Sequence, residues 1–198
     1  LARKYEAIGN KVRYHLIGTL QTNKVKYIID KAYMIHSLDR IALCEEIQKR
    51  GILFHIDATQ SCGKLVEEIR NLKYDMLSFS AHKLMGPQGV GALILKRKLY
   101  KRPPIKGIMY GGQQEQGIRP GTIPVALVVG CGKACEIAEH EYKENERHSL
   151  QIKEAILFVL EESGLKYQIN GNQDVCVSST LNIAIDGVSS EALMISSK

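Results

Sequence analysis

Two short words in the sequence gather the residue types that do chemistry. One is Ser80-Ala81-His82-Lys83, which follows the apolar run Leu77-Ser78-Phe79 and precedes Gly86-Pro87-Gln88-Gly89-Val90-Gly91. The other is Asp57-Ala58-Thr59-Gln60, at the end of the apolar stretch Gly51-Ile52-Leu53-Phe54-His55-Ile56. A lysine alone would read as a solvated surface charge. An aspartate at a buried strand end changes that reading, because a buried carboxylate needs a cationic or hydrogen-bonding partner. A pyridinium nitrogen is one such partner. Pyridoxal 5'-phosphate (PLP) asks for a lysine to form a Schiff base, an acid to keep the ring nitrogen protonated, and donors for its phosphate. Asp57, Gln60, Ser80, His82 and Lys83 supply those types.

The elements that must position them are two strands joined by a short helix. Their separation suits a right-handed βαβ crossover, which brings both carboxyl ends to one edge of a parallel sheet, where ligands of α/β proteins sit. The glycines after Lys83 force a turn that side chains would block. A lysine beside a cationic ring in a desolvated pocket is expected to have a lowered pKa and to serve as nucleophile and base. His55 is expected to be a packed strand residue. Downstream, Ala92-Leu93-Ile94-Leu95 reads as a further strand, parallel or antiparallel, and Lys96 to Lys106 as a basic loop stopped by Pro103-Pro104.

The words HxDAxQ from His55, SFSAHKxxGPxGxGAL from Ser78 and YGGxQExGxRPGTxPV from Tyr110 resemble those of the NifS/IscS-type cysteine desulfurases of the class V aminotransferase group. The resemblance runs from about Gly51 to Lys198, and the word GGQQExGxRPGT is nearest to the branch that serves DNA phosphorothioation. It implies an α/β fold: part of a PLP fold type I large domain, with a mixed, mainly parallel sheet and helices, followed by the start of a small α+β C-terminal domain. Carried over residue by residue, it implies that Lys83 holds PLP and shuttles the proton. Asp57 would pair with the ring nitrogen and Gln60 with the ring hydroxyl, while Ser80 and His82 would bind phosphate. Thr122 would reach the phosphate of the neighbouring subunit in a homodimer. The activity implied is conversion of L-cysteine to L-alanine, with sulfur passed to an enzyme persulfide and then to an acceptor that the sequence does not identify. The nucleophilic cysteine loop of the family has no counterpart here, so none of Cys44, Cys62, Cys131, Cys135 or Cys176 is assigned that role. The expectation is therefore a fragment, truncated at both ends and inactive alone. The alternative is a non-catalytic PLP-binding or PLP homeostasis protein.

That alternative comes from the first fifty residues. Strand (13–18), helix opened by a Thr22 cap (22–29), strand (33–36) and helix (39–50) alternate. Over residues 4–50 the words YHLIGTLQTNKVKYII and IHSLDRIALCEEIQKR resemble the YggS-like PLP homeostasis family, whose fold is TIM-barrel-like. In that resemblance His15, Asn23, Lys24 and His36 are remnants of a barrel wall. The chain thus divides into a βαβα segment over 1–50, part of a class V large domain over 51–147 and an incomplete small domain over 148–198, with a join near 45–51.

From Ile123 to Glu162 the pattern is helical, with Pro124 in the first turn, Val125, Val128, Val129, Ala134 and Ile137 on one side, and a bend expected near Arg147 to Ser149. Cys131 and Cys135, four apart, read as two small core residues rather than a metal pair, and no metal site is expected. Two strands, 165–169 and 179–185, and a helix opening at Ser189 follow.

Composition fits these expectations. The chain has 198 residues, 44% apolar and 24% charged, with five cysteines and no tryptophan. No run approaches the length of a membrane span. An odd cysteine count without a CxxC argues for a reducing compartment, hence a cytoplasmic location. The net charge is +6, but residues 1–50 hold ten Lys/Arg against five Asp/Glu and the other 148 hold seventeen against sixteen. The excess lies in one segment and reads as a solvated face, which argues against a nucleic-acid partner.

Overall fold

The computed structural model describes residues 1–17, 20–36 and 41–196, with the backbone alone at position 41. The strand–helix alternation read from the sequence holds. After α1 (Ala2–Ile8) come β1 (Tyr14–Leu16), β2 (Ala32–Ile35), α2 (Ile41–Lys49), β3 (His55–Asp57), α3 (Val66–Asn71), β4 (Met76–Ser80) and β5 (Gly91–Leu95). The chain then enters α4 (Val125–Glu162), β6 (Tyr167–Ile169), β7 (Ile183–Ile185) and α5 (Ser190–Ser196).

A three-stranded sheet has the order β3-β4-β5. Its hydrogen bonds give the directions. Met76 N donates to Phe54 O and Ala58 N to Ser78 O, so β3 and β4 run parallel, whereas Ala81 N donates to Val90 O and Lys96 N to Asp75 O, so β5 returns antiparallel. The sheet is mixed, and α3 supplies the crossover between the parallel pair.

The chain forms two compact units. The first comprises Leu1–Ile56, Lys73–Leu77 and Leu93–Ile105. Its β1 and β2 pair in parallel, with Leu16 opposite Ile35, and His36 N donates to Leu16 O at 2.8 Å. Leu43 and Ile47 stand one turn apart on α2 and meet Leu20, Val25 and Ile28 in a core, where Val25 and Leu43 are fully buried. Each of those two side chains contributes about 1.5–3 kcal/mol by leaving water. Thr22 is not a cap: Gln21 holds that place without a side-chain hydrogen bond, and Thr22–Tyr27 is 3₁₀ rather than α-helical. The start of the helix expected over 39–50 falls outside the described residues. His15 and His36 are exposed, with Nδ1 and Nε2 2.8 Å apart and the rings stacked at 5.1 Å.

The same unit contains a buried acid that the sequence did not single out. Asp75 is 3% exposed, and its Oδ2 accepts from Phe54 N at 2.8 Å while its Oδ1 pairs with Lys98 Nζ at 2.6 Å. Its backbone N donates to Phe54 O and its carbonyl accepts from Lys96 N, each at 2.9 Å. One residue thus holds the chain entering β3 and the chain leaving β5.

The second unit comprises Asp57–Leu72, Ser78–Ala92 and Lys106–Lys198. Here α4 is one helix of 38 residues, with Pro124 at its N-cap rather than in its first turn. Helical bonding runs through Arg147–Ser149, where a bend was expected, and Ser149 Oγ donates to Asn145 O at 2.8 Å. Of the apolar side read from sequence, only Ala134 is buried, together with Cys131, while Val125, Val128, Val129 and Ile137 are 42–67% exposed. Arg70 Nη2 and Tyr142 Oη tie α3 and α4 through Glu139 and Glu67, at 2.9 and 2.8 Å. β6 and β7 form an antiparallel pair with Gln168 opposite Ala184.

Candidate cofactor site

Because β3 and β4 are parallel neighbours, the chain leaves both at the same edge. Asp57 is the last residue of β3 and Ser80 the last of β4, and the 2.8 Å bond from Ala58 N to Ser78 O fixes their register. Beyond Ser80 the chain makes a 3₁₀ turn, Ala81–Leu84, that carries His82 and Lys83. Ala81 is fully buried and its N donates to Val90 O at 3.0 Å. Gly86 N closes the turn on Ala81 O at 2.9 Å, after Met85 takes a left-handed φ of 60°.

Glycines let this turn sit against α4. A methyl group on Gly86 would lie 2.9 Å from Ala134 Cβ and 3.0 Å from Ala81 O, and one on Gly63 would overlap Leu84 Cδ2. A methyl group on Gly91 would lie 2.5 Å from Phe79 O, so only glycine allows β5 to approach β4 there. The backbone under Lys83 is therefore fixed on three sides.

The side chains themselves lie at the surface. Lys83, His82, Gln60 and Asp57 are exposed and Ser80 is half-buried. The desolvated pocket expected around Lys83 is not formed among the described residues, and the strand end that carries Asp57 is not buried. Asp57 has its carboxylate oriented locally: Oδ1 accepts from Thr59 N at 3.0 Å and from Thr59 Oγ1 at 2.5 Å, an Asx turn. Thr59 was not named as a site residue, although the Asp-x-Thr spacing carries that signal. His55, expected to be packed, is exposed, because the pattern along β3 is exposed, half-buried, exposed. Gln60 stands in the turn whose Ser61 and Cys62 amides both donate to Ala58 O, at 3.1 and 2.7 Å.

Thr122 lies on a separate exposed loop that is held together internally. Arg119 Nη1 donates to Gly121 O at 3.1 Å and to Thr122 O at 3.3 Å, and Gly121 N donates to Gln114 Oε1 at 3.2 Å. The structure thus brings Asp57, Gln60, Ser80, His82 and Lys83 to one strand edge and leaves Thr122 on its own loop.

Beneath the turn three thiols approach one another, a grouping the sequence indicated only for Cys131 and Cys135. Burial pushes the Cys62 thiol up to about 11, with the neighbouring Cys135 and Cys131 adding to it. Burial also raises Cys135. Protonated thiols of this kind are poor nucleophiles. The described cysteines form no disulfide.

The donor set suits PLP by its chemistry. An oriented carboxylate, an amide, a hydroxyl, an imidazole and a primary amine stand along one edge, and the amine springs from a fixed turn.

A family model described as aminotransferase class-V matches residues 35–196. The match begins ahead of Gly51, where the class V resemblance was expected to start. The chain is 38% identical over 157 residues to cysteine desulfurase IscS of Vibrio vulnificus, covering 79% of this chain and 38% of that protein. It spans about two fifths of the length of the curated relatives it matches. Among solved structures it is similar to DndA from Streptomyces lividans, with a TM-score of 0.73 and 25% identity over 98% of this chain and 65% of that one. It is also similar to SspA in complex with cysteine, with a TM-score of 0.56 and 25% identity over all of this chain and 51% of that one. The fold is accordingly the part of a PLP fold type I domain that the sequence led one to expect, and the chain belongs to the class V aminotransferase family.

Proposed function

We propose that this chain is the cofactor-holding segment of a PLP-dependent cysteine desulfurase, whose whole form converts L-cysteine to L-alanine and passes the sulfur to an enzyme persulfide. The observation that carries the proposal is the parallel register of β3 and β4, which delivers Asp57 and the Lys83 turn to one edge. The IscS relative and the cysteine-bound SspA support the substrate class.

PLP, when bound, supplies an electron sink for the carbanion formed at the substrate α-carbon. The residues of this chain have the supporting roles. Lys83 Nζ would hold the cofactor and would carry the substrate proton. Asp57, oriented by Thr59, keeps a proton on the ring nitrogen, and Gln60 donates to the ring hydroxyl. Ser80 and His82 bind the phosphate, and Thr122 reaches the phosphate held by a second copy in a homodimer. Water is excluded by that copy and by chain outside this segment, since Lys83 is exposed. Cysteines that form no disulfide fit a reducing, cytoplasmic setting, and no described helix is long and apolar enough to cross a membrane. The sulfur acceptor stays open, and the divisions 1–50, 51–147 and 148–198 are part of the same proposal.

A second reading, a PLP-binding protein without catalysis, draws on residues 1–34, which lie outside the class V match. Both readings require PLP on Lys83. Borohydride reduction of the PLP-loaded chain, followed by peptide mapping, is expected to place the pyridoxyl group on Lys83, with loss of visible absorbance in Lys83→Ala. A label spread over surface lysines, and equal in the variant, overturns both. Sulfide release from L-cysteine by the loaded full-length protein then separates them.

A further inference from the structure

Cys176 differs from the thiols under the Lys83 turn. It is half-buried, and Lys153 Nζ, from the middle of α4, donates to its Sγ at 3.6 Å. Three oxygens compete for the single S–H: Gln173 O at 3.5 Å, Gln173 Oε1 at 3.6 Å and Thr180 O at 3.9 Å. The proton therefore points at an oxygen, and the amine takes another side of the sulfur. A groove of about 200 Å³ is lined by Lys153 together with Ile152, Ile156, Ser178 and Leu181, so the amine faces a space that small solutes enter. Nothing in the proposed desulfurase chemistry uses this pair.

We propose that Lys153 and Cys176 form a peroxide-driven covalent bridge, a modification site that ties α4 to the segment carrying Gln173 and Thr180. In the first step the sulfur attacks hydrogen peroxide. One S–O bond forms, the O–O bond breaks, and the products are Cys176 sulfenic acid and water. In the second step the amine nitrogen of Lys153 attacks that sulfur. An S–N bond forms, the S–O bond breaks, and hydroxide leaves with the amine proton as a second water. Sulfur is oxidised by two electrons overall and the peroxide is reduced by two. A dithiol reverses the bridge, returning thiol and amine and becoming a disulfide. The amine stands within van der Waals reach of the sulfur before reaction, so little reorganisation separates the sulfenic acid from the bridge.

Selectivity within the chain follows from environment. Burial raises the Cys62 and Cys135 thiols, whereas half-buried Cys176 has an amine 3.6 Å from its sulfur, placed to capture the sulfenic acid once it forms.

The test exposes the reduced full chain to stoichiometric hydrogen peroxide and maps its peptides by mass spectrometry. The expected product is one peptide pair joining positions 153 and 176, lighter by two hydrogens, with both free peptides lost and both restored by dithiothreitol. Lys153→Arg keeps the charge but lacks the nucleophilic amine. It is expected to leave Cys176 as a sulfenic acid that dimedone traps, with no cross-link, and Lys153→Gln gives the same result if the arginine variant folds poorly. A wild-type chain in which dimedone labels Cys176 while Lys153 stays free overturns the proposal. So does a chain whose other cysteines oxidise first while Cys176 remains a thiol.

Discussion

Replacing Asp75 by alanine removes one acceptor that serves a buried amide. Phe54 is 7% exposed, and its N–H donates to Asp75 Oδ2 at 2.8 Å, so the truncation leaves a buried donor without that partner. That loss costs about 1–3 kcal/mol. The ion pair with Lys98 adds little, because the lysine side chain is 74% exposed and solvent screens it, which limits the pair to about 0–1 kcal/mol. Asp75→Ala is therefore expected to destabilise by about 2–3 kcal/mol, and Lys98→Ala by less than about 1 kcal/mol. Asp75→Asn keeps an acceptor for Phe54 N–H and should fall between them. Urea unfolding reads the order: with a slope of about 1–3 kcal/mol per molar, Asp75→Ala lowers the midpoint by roughly 0.7–3 M. Amide exchange at Phe54 supplies the local readout and should accelerate in Asp75→Ala alone. If Lys98→Ala shifts the midpoint as far as Asp75→Ala, the charge pair rather than the carboxylate–amide bond holds the strands, and the reasoning fails.

Two further predictions concern the site. Thr59→Val removes the hydroxyl that donates to Asp57 Oδ1 at 2.5 Å, and one such bond is worth about 0.5–1.5 kcal/mol, so PLP affinity should fall about two- to tenfold by titration; an unchanged affinity would show that Thr59 does not orient the carboxylate. Cys62, pushed up to about 11 by burial, should resist iodoacetamide at neutral pH and react only as the pH approaches that value. Since its folded value is raised, the stability linked to it is fully present below the ordinary thiol range and is lost as pH rises through about 11. Rapid labelling of Cys62 at neutral pH in the folded chain would contradict its burial.

The parts of the fold legible in the sequence are those set by local pattern. Apolar runs ending in Asp57 and Ser80, with a short helical stretch between them, specify a parallel pair, and the glycines after Lys83 mark a turn that the structure makes for steric reasons. What was not legible depends on distant partners. Asp75 reads as an ordinary acid between Tyr74 and Met76, and its burial follows from an amide at Phe54 and an ammonium at Lys98. Thr22 has the right type for a cap, yet the chain enters its helix one residue earlier. The valines of α4 have the spacing of a buried face, but periodicity gives a direction and not a neighbour, and only Cys131 and Ala134 find one. Likewise Asp57 was expected to be buried because of the apolar run before it, and it lies instead at the surface with Thr59 as its local partner.

Position and dryness, the two things Lys83 would need in its proposed role, come apart in this chain. Position is supplied locally: Ala81 is fully buried, the turn closes on its carbonyl, and Gly63, Gly86 and Gly91 each sit where a methyl group would collide. Dryness is not, because Lys83 and its neighbours Asp57, Gln60 and His82 are exposed. An amine in open solvent keeps its hydration, and a reaction that depends on a desolvated amine then gains little from good placement alone. The backbone cost of the fixed turn is met within this segment, while the lowered dielectric must come from surfaces laid over it. Placement should therefore govern whether PLP finds Lys83, and covering should govern whether the bound cofactor turns over. If the proposed function holds, the chain alone is expected to label at Lys83 without releasing sulfide, and a longer form that covers the turn is expected to release sulfide with the label at the same position.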